Sequence, residues 1–178
     1  MSTNLLTPRL LLRPLLVTDA EGLFALDSDP EVHRYLGNNP VTSITTCYDV
    51  IQNVQQQYED NGIGRWAIID RETQDFIGWA GLKYEQGRMP GVAHYYDLGY
   101  RLRRPYWGQG IATEAAMFWL QYGFELLQLP EIGAVTHVDN IGSNTILRKI
   151  GLRFKETFQY DEETQCNWYA LEPTAWKK

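Results

Sequence analysis

The run Trp107-Gly108-Gln109-Gly110-Ile111-Ala112-Thr113 places two glycines one residue apart, directly after an apolar strand pattern and directly before a helical one. At such a junction the first N–H groups of the helix have no partner inside it. With the helix dipole they attract an anion, and glycine lets a diphosphate come close to the backbone. A tight turn that binds nothing would use the same glycines, so the turn alone leaves both readings open. Two familiar phosphate sites make further demands. A P-loop ends in Gly-Lys-Ser/Thr, which is absent after Gly110, and this argues against nucleotide hydrolysis. A dinucleotide-binding GxGxxG needs a third small residue where Thr113 stands, and parallel βαβ units around it.

The elements that must position this turn can be read from periodicity and punctuation. A first strand covers Arg9 to Leu15, and Thr18 or Asp19 can cap a first helix carrying Leu23, Phe24 and Leu26. A second helix is expected from about Thr45 to Asp60, stopped by Asn61-Gly62. Three strands follow without an intervening helix: Arg65 to Asp70, Asp75 to Tyr84 and His94 to Leu102. The polar turn Arg71-Glu72-Thr73-Gln74 joins the first two as a hairpin, and Pro90-Gly91 marks the break before the third. A helix from Gly110 to about Leu127 comes next. Strand Ile132 to Val138, helix Gly142 to Ile150 and strands Arg153 to Tyr160 and Gln165 to Glu172 complete the chain. This order predicts an α+β architecture: a mixed, mostly antiparallel central sheet of about seven strands flanked by about four helices.

Length and composition bound the function. At 178 residues, with 44% hydrophobic and 21% charged residues, the chain suits a single domain spanning 1–178. The formal charge of −6 argues against a nucleic-acid partner. Cys47 and Cys166 lie far apart without CxxC spacing, so neither a zinc site nor a disulfide framework is expected. No signal-peptide pattern or membrane-length apolar run occurs, and a cytoplasmic setting is the expectation.

Residues 98–115, LGYRLRRPYWGQGIATEA, resemble the cofactor-binding strand, turn and helix start of the GNAT acyltransferases. They are most similar to the RimJ/RimL-type branch, which acetylates protein N-termini and related amines. Residues 138–154, VDNIGSNTILRKIGLRF, resemble the branch's N-x-x-S, short helix, K-x-G and aromatic-ending strand. The opening TPRLLLRPL and the stretch IGWAGL fit as well, so the likeness spans nearly the whole chain. It implies the GNAT fold and acetyl-CoA as co-substrate, with no metal. It also implies that Tyr100, Arg101 and Leu102 run along the pantetheine arm, mainly through main-chain atoms. Gly108, Gln109, Gly110, Ile111, Ala112 and Thr113 would offer N–H donors to the pyrophosphate. Trp107 would be a wall, and Arg103 and Arg104 either add charge near the phosphates or are ordinary surface residues. Asn140 would bond the pantetheine amide or simply start a helix. Ser143 would cap that helix or lie near the thioester sulfur.

The implied reaction is attack of a primary amine on a thioester. An α-amino group has a pKa of about 8 and lysine of about 10.4, so a proton must be taken up. Strand alternation puts Tyr95, Asp97 and Gly99 on one face and Tyr96, Leu98 and Tyr100 on the other. Asp97 stands where this branch commonly has Glu, which makes it the leading proton acceptor, with Glu85 and His94 as secondary candidates. Many GNAT enzymes carry a Tyr four residues after the Ser143 position, as proton donor to the leaving thiolate. Leu147 stands there, leaving the donor open between Ser143, water and none. The cysteines have no evident partner base, and a covalent acyl-cysteine route is disfavoured. The implied acceptor is a protein N-terminal amine, with polyamine, amino acid or antibiotic amines behind it. An acyl-CoA-binding sensor with little turnover is the alternative from another class. Acceptor specificity would lie in Leu36 to Asn61 and in a loop from Glu85 to Val92. The oligomeric state is open between monomer and homodimer.

Overall fold

Apolar residues of the strands meet helices on both faces of a single mixed sheet. The computed structural model describes residues 4–89 and 91–176. The strands are β1 (Leu5–Leu6), β2 (Leu10–Pro14), β3 (Arg65–Asp70), β4 (Phe76–Met89), β5 (Val92–Leu102), β6 (Ile132–His137), β7 (Arg153–Gln159) and β8 (Gln165–Leu171). The helices are α1 (Ala20–Asp27), α2 (Pro30–His33), α3 (Ile44–Asn61), α4 (Ile111–Gln121) and α5 (Ile141–Lys149). The sheet has eight strands in the order β1-β2-β3-β4-β5-β6-β8-β7. Neighbours are antiparallel except β5 and β6.

The expected order of elements holds, with differences that have local causes. The extra strand β1 is a two-residue ribbon on β2, too short to show periodicity. The extra helix α2 is one turn, started by Pro30 and capped by the Asp29 side chain on the Glu31 N–H at 2.9 Å. Helix α4 continues past Gln121 as a π-helical turn, Tyr122–Leu126. The segment 85–92, read from sequence as a loop, is strand as far as Met89. β4 and β5 form a long hairpin in which Glu85 faces Tyr95 and Gln86 faces His94. Of the expected break at Pro90-Gly91, Pro90 lies outside the described residues.

Helices cover both faces of the sheet. On one side α4 and α5 bury Ile111, Ala115, Trp119, Leu120 and Leu147 against Leu82, Leu98 and Leu102. On the other, α1 and α3 bury Leu23, Leu26, Cys47 and Ile51 against Ala67 and Ile69. Helix α3 is bounded as its sequence dictates. Ser43 accepts the Thr45 N–H at 3.2 Å, and Gly62 ends it in the left-handed conformation at φ 70°.

The decisive feature is the junction of β5 and β6. Among the described residues these parallel strands pair at one position, Asp97 with Gly133, and then part. Gly133 is needed there because the Trp168 indole lies across it, and a Cβ at this position would fall 1.8 Å from the ring. Trp168 is held in turn by Tyr95 edge-on, with centroids 4.8 Å apart. Gly133→Ala must therefore displace a packed indole, and it should destabilise the protein by about 1–3 kcal/mol in urea denaturation.

Candidate functional site

Where β5 and β6 separate, two cavities meet. One, of about 860 Å³, runs from the Gly108–Thr113 turn along β5 to the start of α5. The other, of about 450 Å³, is walled by Tyr35, Glu85, Tyr95, His137 and Tyr160. Asp97, Tyr100, Asn140 and Ser143 line both, so they mark the junction.

The first cavity begins at a helix start that invites an anion. Gly108 and Gly110 have φ of 73° and 76°, conformations that favour glycine. Gly110 occupies the N-cap of α4 without a capping side chain, whereas Ser43 and Asn140 cap α3 and α5 with theirs. The first N–H groups of α4 are thus left without a side-chain acceptor. The surrounding space is open, since a Cβ on Gly108 would meet nothing within 4 Å and one on Gly110 only the Arg9 guanidinium at 3.6 Å. Gly108, Gly110, Ile111, Ala112 and Thr113 line the cavity. Gln109 turns its side chain onto the Pro105 carbonyl at 2.8 Å and contributes no lining.

The cation beside this turn is one that the sequence reading missed. Arg9 donates from Nη1 to the Gln109 carbonyl at 2.8 Å and from Nε to Glu114 at 2.6 Å. Thr7 adds its hydroxyl to Glu114 at 2.6 Å. This latch neutralises the carboxylate of α4's first turn and ties the helix start to the opening strand. Arg103 and Arg104, the sequence candidates, are committed elsewhere. Arg103 donates to the Phe76 carbonyl at 3.0 Å, and Arg104 approaches Asp29 at 3.3 Å.

Along β5, alternation divides the site as the sequence predicts. Arg101 turns to the α1 face, where it binds Asp27 at 2.7 Å and covers the Trp79 ring at 5.0 Å. The Leu102 carbonyl accepts the Trp107 indole N–H at 2.8 Å, so Trp107 closes the strand end. Asp97 lies on the same face as Arg101 and is bound by Arg65, whose Nη1 also reaches the Asp97 carbonyl at 2.7 Å. The Arg65 side chain crosses the sheet over Gly99, where a Cβ would stand 2.6 Å from its Nη2. Glycine inside a strand marks such close approaches, and this is the signal that could have revealed Arg65. With its side chain 15% exposed, Asp97 has its pKa raised by burial, a shift that the Arg65 charge opposes. Glu85 lines the second cavity and is bound by Lys83 at 2.6 Å. His94 instead packs on Tyr84 and lines neither cavity.

Tyr100 points to the opposite face, where its hydroxyl lies 3.1 Å from Ser143 Oγ. Asn140 Oδ1 accepts the Ser143 N–H at 3.1 Å, so the capping role falls to Asn140 and the Ser143 hydroxyl is engaged with Tyr100. Buried Asn144 fixes α5 by accepting from Tyr169 and Asn167, both at 2.8 Å, while donating to the His137 and Asn140 carbonyls. Cys47 and Cys166 are both buried, and burial pushes the Cys166 thiol up to about 11. That is a poor nucleophile. Among the described residues no group of three or more His, Cys, Asp or Glu is placed to hold a metal ion. Nor is any described helix long and apolar enough to cross a membrane.

Comparison with known proteins identifies the family. The acetyltransferase (GNAT) domain pattern matches residues 9–153, and the chain belongs to that family. It is therefore an acyltransferase of the family whose members use acetyl-CoA as co-substrate. The chain is 35% identical over 147 residues to a Bacillus subtilis (strain 168) protein named uncharacterized N-acetyltransferase YoaA, covering 83% of this chain and 81% of that one. It is 34% identical over 163 residues to the uncharacterized N-acetyltransferase p20 of Bacillus licheniformis, covering 90% and 87%. A crystal structure of a GNAT-family acetyltransferase from Bacillus anthracis superposes with a TM-score of 0.82 at 22% identity, covering 97% and 99%.

The Thr7–Arg9–Glu114 latch has a pH signature. Burial opposes the Glu114 charge, but the Thr7 and Arg9 hydrogen bonds outweigh it and the pKa is lowered. The stabilisation is then present above the ordinary carboxylate range and is lost as pH falls through the lowered value. Glu114→Gln should lower the melting temperature at pH 7 and leave a smaller further loss on acidification than the native protein shows in calorimetric scans.

Proposed function

We propose that this protein transfers the acetyl group of acetyl-CoA to a primary amine by direct attack, with a protein or peptide N-terminal amine as its acceptor. The observation that carries this reading is the meeting of the two cavities at the β5–β6 separation, with Asp97 and the Tyr100–Ser143 pair lining both. The diphosphate of the co-substrate fits the uncapped start of α4 with Arg9 beside it. The pantetheine arm fits along Tyr100, Arg101 and Leu102, on the edge of β5 that β6 leaves.

The amine then approaches through the smaller cavity. Asp97 accepts its proton, directly or through a water molecule, as the nitrogen attacks the acetyl carbon. A backbone N–H of β5 holds the oxyanion. The peptide N-terminus is preferred over lysine because its lower pKa leaves more neutral amine at pH 7. The RimJ/RimL-type motifs in the sequence support the same acceptor class. Two buried thiols and the family's intracellular co-substrate fit a cytoplasmic setting. The Arg65 bridge to Asp97 favours a second reading, an acyl-CoA sensor with little turnover, because it stabilises the carboxylate against taking a proton.

Thiol release from acetyl-CoA against a panel of free-N-terminus peptides, spermidine and lysine separates the two. Release with a peptide supports transfer. Tight acetyl-CoA binding by calorimetry with no release on any amine sinks it. Gly110→Val should abolish acetyl-CoA binding, with a strain cost of about 1–2 kcal/mol from the positive φ. Unchanged affinity would remove the α4 start as the diphosphate site.

The pH dependence tests Asp97. A raised pKa keeps the carboxyl protonated at pH values where an ordinary Asp is already a base, so activity should fall on the acid side earlier than for a typical carboxylate. Asp97→Asn should lower turnover most where the amine is itself protonated. An unaltered pH–rate profile would rule Asp97 out.

A further inference from the structure

Resting on the transfer reading above, we propose that the Tyr100 phenol donates the proton to the departing CoA sulfur, with the Ser143 hydroxyl holding the phenol in place. Several proton-bearing groups line the two cavities. Asp97 faces the acceptor side of β5, and Tyr35, which lines both cavities, turns its ring onto His137 at 5.4 Å. The Ser143 hydroxyl is aliphatic and far less acidic than a phenol. One helical turn beyond it α5 presents Leu147, 1% exposed, which can donate nothing. Among the described residues, Tyr100 alone combines an acidic O–H, a place in the larger cavity and a hydroxyl neighbour at 3.1 Å. It also sits on the β5 face opposite Asp97, so proton acceptor and proton donor stand on the two sides of the strand along which the thioester lies.

The sequence of bonds follows. The amine nitrogen forms the C–N bond, and its proton passes to Asp97. The tetrahedral carbon then breaks its bond to sulfur, the electron pair staying on sulfur. Sulfur takes the Tyr100 proton, and the phenolate, held by a hydrogen bond from the Ser143 hydroxyl, recovers a proton from solvent. Asp97 returns its proton to solvent, so acetyl-CoA and amine become CoA thiol and amide with no further reactant. Burial pushes the Tyr100 pKa up to about 12, against the opposing pull of the Ser143 contact, so the donor is protonated at every working pH.

The test uses the full chain, acetyl-CoA and the best amine of the panel named above. Tyr100→Phe removes one oxygen and keeps the ring. The expected result is a kcat lower by about 10–100-fold, at the low end for a general acid because a thiolate leaves readily. The acetyl-CoA Kd should stay within about twofold. Ser143→Ala should lower kcat less, and the double variant should be no slower than Tyr100→Phe, as for two groups acting in one step. A ring-fluorinated tyrosine at position 100, nearly the same shape but with a more acidic phenol, should bring a descending alkaline limb into the accessible kcat profile. A role confined to packing would not move that limb. The proposal is overturned if Tyr100→Phe keeps kcat within about twofold, if its loss only tracks lost acetyl-CoA affinity, or if the fluorinated protein has the native alkaline profile. The fluorinated protein keeps the question decidable should Tyr100→Phe fold poorly. Native protein that turns over no amine overturns the transfer reading and the donor with it, whereas an active native protein with an unaffected Tyr100→Phe overturns the donor alone.

Discussion

A β-sheet leaves few backbone groups unsatisfied in its interior, and the whole site depends on one place where this rule is relaxed. β5 and β6 are held together at Asp97 and Gly133 and then separate, in the middle of an eight-stranded sheet. The edge of β5 beyond Asp97 is therefore available to something other than a strand. The separation also opens a passage between the two faces of the sheet, and this is why two cavities can share Asp97 and Tyr100. Trp168, lying across Gly133, and Asn144, anchoring α5 on β8, brace one side of the opening. The hairpin of β4 and β5 braces the other.

Four buried or half-buried carboxylates are each paired with a guanidinium. Asp97 has Arg65, Asp27 has Arg101, Asp19 has Arg13 and Glu114 has Arg9. Burial alone would push such carboxyls toward the neutral form, and removing one partner would leave an uncompensated charge. The balance differs from pair to pair. At Glu114 three hydrogen-bonding contacts win and the charge is fixed, which suits a structural latch. At Asp97 burial wins, leaving a carboxyl closer to proton exchange, which suits a site of chemistry. Trp79 lies between Arg65 and Arg101, so the α1 side of β5 is a layer of arginine and indole.

Much of this was legible in the chain. The glycine turn, the strand before it and the Asn140–Ser143 helix start were all identified by motif and spacing, and the alternation of β5 assigned Asp97 and Tyr100 to opposite faces. These are local properties: they depend on a few consecutive residues and on periods of 2 and 3.6. The errors were also physical in kind. The segment 85–92 reads in sequence as a loop around the break at Pro90-Gly91, yet pairing with the opposite strand carries β4 to Met89. Arg103 and Arg104 were nearest the turn in sequence, but short-range carbonyl and carboxylate partners claim them.

By itself, then, the sequence determined the family, the order of elements, the uncapped helix start at Gly110 and the two faces of β5. Each of these is written in neighbouring residues. Only the tertiary structure decided which distant groups serve them. Arg9 reaches Gln109 and Glu114 across about a hundred residues, Arg65 reaches Asp97 over Gly99, and the Tyr100 hydroxyl meets Ser143. Such pairings follow from sheet register and helix packing, which bring side chains together through space and leave no fixed spacing along the chain to read.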